Sequence, residues 1–457
     1  MTRVGMTARL IAGAVIAAGA GVVVAGGIAF DWMPRDVAPV SQKVAPIAAD
    51  SVLTCAGPLL AIGRNATEAS SITVAGTQSL VSTGDGMKKS TLKAPDVSGD
   101  GGPLRLITSA SGRNTPQAAA AASTAIKADD LGGFVASPCG PALMDSWLVA
   151  GWTTTGAADL ITIANPGEVP ATVDLTLYGK GGETQPAGGN DVVVAAGSER
   201  VIPLAGLGVG EDAPVVRVTA TGAPVRAMLQ SSNSVALDVT GVDQTTALAS
   251  AAKRQVITGV HVTTEQQDNP LTVVRLLAPD TDTTAQVTVI GEHGTTGPGQ
   301  EVDLTGGTPA ELQLPLAVGS YAVVVTADTP VVAAVWQATG ISGGDDFTWA
   351  EPAETLEAGC DGALVSVPKG PSPRLDLLVD GDKAAKVTAT PVGGGDAQSA
   401  TVTPGQVSSL TLAEGTSYRI VTDRPVHASV AYVGDKQLAT YPVSPSAAAS
   451  APVTVYR

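Results

Sequence analysis

Aromatic side chains are scarce in this chain, 3% of 457 residues. A core with so few large rings has to be filled by Val, Ala, Leu and Thr, residues suited to short strands in close contact. Histidine is scarcer still, with only His261, His293 and His427. A hydrolytic triad needs a nucleophile, a base and an orienting group together, and no G-x-S-x-G elbow accompanies any of the three. Basic residues number 26 against 42 acidic ones, a net charge of -16. Beyond the N-terminus the basic pairs Lys88-Lys89 and Lys253-Arg254 stand alone, which argues against a nucleic-acid partner, because that needs clustered cations. The three cysteines, Cys55, Cys139 and Cys360, are far apart and no histidine sits at ligand spacing, so no metal site is expected. Gly206-Leu207-Gly208-Val209-Gly210 lacks the strand-to-helix setting of a phosphate loop, and no cofactor is expected.

Glycine and proline are plentiful, 53 and 31, and they punctuate short β-branched runs, which favours strands joined by turns. The length suits three or four modules of about 75 to 110 residues. A repeated spacing marks them: Val194-Gly197-Leu204, Leu304-Gly307-Leu314 and Val402-Gly405-Leu412, each followed by a strand-like run and Pro-x-x-Ala at Pro224, Pro330 and Pro425. Glycine in this step permits a positive φ between two strands, and the leucine returns an apolar side chain to the core. Proline lacks an N–H and suits a strand start or edge, and the small alanine lets two sheets approach. The chain is therefore expected to be all-β, with tandem immunoglobulin-like β-sandwich modules at 141–250, 251–350 and 351–442, a degenerate first module at 51–140 and a tail at 443–457. In the first module the alanine tract Ala118–Ala122 reads as a short helix or a solvated loop.

Residues 10–30 run without a charge from Leu10 to Phe30, after a stub at 1–9 that carries Arg3 and Arg9. That length matches the roughly 20 residues a helix needs to cross hydrocarbon, and the preceding arginines place the rest of the chain outside the cell. A retained anchor followed by a Pro-containing tether at 31–50 is one reading. A cleaved signal peptide using Gly27-Ile28-Ala29 is the other. In an oxidising space one disulfide can form, either Cys55–Cys139, which brackets the first module, or Cys139–Cys360.

The stretch Cys139-Gly140-Pro141, then Asp145-Ser146-Trp147-Leu148-Val149-Ala150-Gly151, then Leu160-Ile161-Thr162-Ile163-Ala164-Asn165-Pro166, resembles an exported actinobacterial family known only as a domain of unknown function. The resemblance covers most of the chain after Cys55 and implies a membrane-anchored or secreted envelope protein, with no activity to carry over.

The expected function is a non-enzymatic extracytoplasmic scaffold or interaction protein of the cell envelope, with the membrane and envelope proteins or cell-wall glycan as partners. Asp345-Asp346 beside Phe347 and Trp349, with Trp336 nearby, is the candidate ligand site. Aromatic faces stack on sugars and carboxylates accept from hydroxyls, so a glycan-binding accessory protein is the first alternative. A carbohydrate-active enzyme using the two carboxylates is the second.

Overall fold

The computed structural model describes residues 48–445, except 65, 66, 100, 112–115, 266–270, 360 and 361, together with the backbone strands Ser41–Val44 and Val453–Tyr456. The apolar segment 10–30 and Cys360 lie outside the described residues. The repeated glycine step has the geometry its spacing predicts: Gly197, Gly307 and Gly405 hold φ of 64°, 75° and 68°. In that left-handed region a Cβ is costly. Val194, Leu304 and Val402 before the turn, and Leu204, Leu314 and Leu412 after it, are all buried.

The turn joins the fourth and fifth strands of a pairing pattern that occurs three times. Between Asp145 and Thr246, the first strand, Asp145–Leu148, pairs with the sixth, Val215–Thr221, which pairs with the third, Ala171–Gly179, and that in turn holds the fourth, Val192–Val194. In the other sheet the second strand, Leu160–Asn165, lies between the fifth, Ser198–Pro203, and the seventh, Arg226–Val235, which carries the eighth, Asp238–Thr246. The pattern returns from Ala363–Val367 to Gln437–Pro442. It returns also from Ala252–Val262 to Phe347–Ala350, where the sixth and seventh strands are one, Gly319–Ala338, passing from one sheet into the other around Pro330. Inward residues of both sheets share each core, as Ile161 and Ile163 do with Val173 and Leu175. Immunoglobulin sandwiches place the first strand beside the second and the seventh beside the sixth. Here the two have exchanged places, the first lying beside the sixth and the seventh beside the second.

Residues 51–140 form three smaller sheets. The alanine tract is part of a nine-residue strand, Ala119–Lys127, paired with Gly132–Pro138. Packing overrides the helical preference of alanine because small side chains let this strand sit against Ala363–Val367, where Ala121 joins the core that holds Leu377 and Tyr441. Cys55 and Cys139 are joined by a buried disulfide that ties the two ends of this segment.

Residues 48–449 form one compact unit, and its closure is visible where the three eighth strands meet Gly132–Pro138. Asp238–Thr246 packs against Phe347–Ala350, that strand against Gln437–Pro442, that against Gly132–Pro138, and that back against Asp238–Thr246. Each neighbouring pair of segments also shares apolar contacts: Leu60 and Ile72 with Leu160, Leu229 and Val216 with Trp349, Val256 with Leu378, and Phe134 with Tyr432. The sandwiches thus close on one another in a ring. In the other unit, residues 1–47 with 450–457, Ser41–Val44 pairs antiparallel with Val453–Tyr456.

Candidate functional site

Trp336 and Trp349 face each other in register across the seventh and eighth strands of their sandwich. With Trp152 and Phe347 they form an aromatic cluster, Trp152 lying 6.1 Å from Trp336 and 5.4 Å from both Trp349 and Phe347. Trp349 has no exposed surface, and the Arg275 guanidinium lies over its ring at 4.5 Å. That buried cation donates to the carbonyls of Gly151, Pro214 and Asp212 and to Glu311. These rings cement one sandwich to the next, and neither Trp349 nor the half-buried Trp336 offers a sugar an open face. Trp349→Ala is expected to lower stability by about 3–5 kcal/mol through the cavity it leaves, a loss measured by denaturant unfolding.

Asp345 and Asp346 lie just before the strand Phe347–Ala350, and their side chains part. Asp346 turns inward, where it is fully buried at the centre of the ring of eighth strands. Its Oδ2 accepts from the Phe134 N–H at 2.8 Å and the Leu438 N–H at 3.2 Å, and its Oδ1 from the Val242 N–H at 3.4 Å. One carboxyl thus joins three other parts of the chain. Gly133 and Gly241 make room for it: a Cβ on Gly133 would lie 2.4 Å from Asp346 Oδ1, and one on Gly241 3.1 Å from the Asp346 Cα. Burial outweighs these donors and holds the Asp346 carboxyl well above the usual carboxylate range. Asp346 is therefore a knot of the fold, and the paired-carboxylate arrangement expected with Asp345 is not assembled.

Asp345 lies in a cleft of 620 Å³ between the Gly340–Asp345 loop, the Gly434–Lys436 turn and Thr263–Glu265. Its carboxylate accepts from the Ser342 N–H at 2.8 Å and pairs with Lys436 Nζ at 3.0 Å. Lys436 sits at φ 51°, a turn position where glycine or asparagine is the usual choice. Glu265, Asp435 and the apolar Ile341 complete the lining that matters chemically. Of the four residues marked in the sequence, one reaches the cleft and three build the interior. Lys436, Glu265 and Asp435 went unmarked because they come from other segments. A Gly-Asp-Lys turn between two apolar strands was the only local signal.

Among the described residues the histidines form no triad. His261 Nε2 lies 2.5 Å from Asp376 Oδ2, and Ser409 Oγ donates to the other oxygen of the same carboxylate. The hydroxyl and the imidazole both meet Asp376 rather than each other. His427 is buried, with Nδ1 2.7 Å from the Ala353 carbonyl. Burial lowers its pKa. Several carboxyls share this interior setting: burial pushes Asp159 and Asp243 up to about 7, and Glu199 and Glu351 up to about 8. Glu351 accepts from the N–H and hydroxyl of Thr246. Among the described residues no group of three His, Cys, Asp or Glu could hold a metal ion.

No curated protein and no solved structure matches this chain. The model of the family of unknown function DUF5719 matches residues 94–415, from within the disulfide-closed segment to within the last sandwich. With most of its length covered by that model, the chain belongs to this family.

Proposed function

We propose that the chain is a non-enzymatic extracytoplasmic scaffold or interaction protein of the cell envelope, held to the membrane by residues 10–30 and built from tandem sandwiches of an immunoglobulin-related kind. The observation that carries this reading is the disulfide between Cys55 and Cys139. Such bonds persist in oxidising compartments and are rare in reducing ones. The uncharged run from Leu10 to Phe30 behind Arg3 and Arg9 supplies the route outward. Dispersed acidity suits a solvated external surface.

Thiol tagging tests the compartment. Denatured without reductant, protein from its native cells should take one maleimide mass tag, at Cys360, and three after reduction. Three tags without reductant would sink the proposal. The Cys55→Ala/Cys139→Ala variant is expected to lose about 2–4 kcal/mol of stability. Mature protein beginning near Phe30 would make the chain secreted rather than anchored.

The cleft beside Asp345 supports a second reading, binding of a cell-wall glycan, because carboxylates and hydroxyls line it. That site would work without the tryptophans.

A further inference from the structure

We propose that the cleft beside the Gly340–Asp345 loop docks a segment of a partner protein carrying a basic side chain next to an apolar one. This rests on the interaction-protein reading above and names the kind of partner. The cleft's 620 Å³ falls within the size range of sites that hold a small ligand or a few side chains. Its charge is unbalanced: Glu265, Asp345 and Asp435 face one ammonium, Lys436. Lys436 is already paired with Asp345, so the exposed Glu265 and Asp435 remain to receive a cation.

An apolar edge adjoins this acidic pocket. Ile341 on the loop is 54% exposed. The neighbouring hairpin tip, bound to the loop by the Gly344 N–H on the Val239 carbonyl at 2.9 Å, carries Val235 and Leu237, the latter 93% exposed. Ala236 between them holds φ 59°, so this tip keeps its form without glycine. A partner with alternating cationic and apolar side chains satisfies both features at once. An anionic lipid surface would be repelled by the carboxylates. A glycan would lack an aromatic platform, since no aromatic residue is among the exposed large side chains described.

Calorimetry on the full chain in neutral detergent, titrated with an acetylated Lys-Leu-Lys-Leu amide, tests this. Saturable one-to-one binding is expected. It should weaken by about tenfold in Glu265→Lys/Asp435→Lys and about threefold in Ile341→Ser. The control Glu357→Lys/Asp382→Lys, which reverses two exposed charges on other turns, should bind within about twofold of the parent. The proposal is overturned if the cleft variant binds as well as the parent, if the control loses as much, or if chitohexaose binds in the cleft and the peptide does not. Thiol tagging is read separately: three tags would sink the compartment reading and leave peptide binding measurable, and the reverse outcome is equally distinct.

Discussion

Asp346→Ala is expected to cost about 4–8 kcal/mol and to lower the melting temperature by about 5–10 °C. The substitution leaves the N–H groups of Phe134, Leu438 and Val242 without an acceptor in a place water does not reach. Each unsatisfied buried donor costs about 1–3 kcal/mol, and the three come from three separate parts of the chain, so the loss falls on the joints between them. Asp346→Asn should be milder, because the amide oxygen can serve Phe134 and Leu438 and no charge is involved. Differential scanning calorimetry of both variants gives the result directly. An alanine variant that melts with the parent would show that the carboxyl does not hold the ring.

Raising the pH from 5 to 8 is expected to remove about 4–8 kcal/mol of stability. Asp159 and Asp243 titrate at about 7 in the folded chain and Glu199 and Glu351 at about 8. Unfolded, such groups titrate near about 4. The folded state therefore binds more protons across this window. The stability is fully present below the unfolded values and lost as pH rises through 7 and 8. Each of the four carboxyls is expected to contribute about 1–2 kcal/mol to that loss. Self-repulsion of an acidic chain acts in the same direction. His427, held below its usual range, opposes it with a single group. Glu199→Gln separates the contributions, since burial is the main cause of that shift and the nearby Asp96 the second. The variant should melt above the parent at pH 8 and with it at pH 5. Equal melting at both pH values would dismiss the buried carboxyl as a cause.

The skeleton of each sandwich was legible because it depends on local geometry. A positive φ selects Gly197, Gly307 and Gly405, and the buried leucines each stand one residue past the strand that follows the glycine. Ala227, Ala333 and Ala428, small where two sheets meet, are buried as their spacing implied. Ring closure was not legible, because it joins Phe134 to Tyr432 across the length of the chain, and no short-range pattern reports such a contact. The misplacement of Asp346 and Trp349 has the same origin. Two carboxylates beside two rings look alike on a loop and at a junction, and only long-range donors such as Phe134 and Leu438 distinguish them. The loop from Gly340, which leads into the marked Asp345, borders the cleft. Of the residues that answer it across the cleft, Glu265 comes from the same sandwich and Asp435 and Lys436 from the one that follows.

Synthesis runs from one end of the chain to the other, and the carboxyl of Asp346 meets its donors in that order. Phe134 and Val242 precede it, whereas Leu438 emerges from the ribosome almost a whole sandwich later. Until then the Asp346 carboxyl lacks one of its three donors, and the strand at Phe134 lacks the Tyr432 ring it packs against. The joint that makes the assembly compact is thus withheld until nearly all of it has been made.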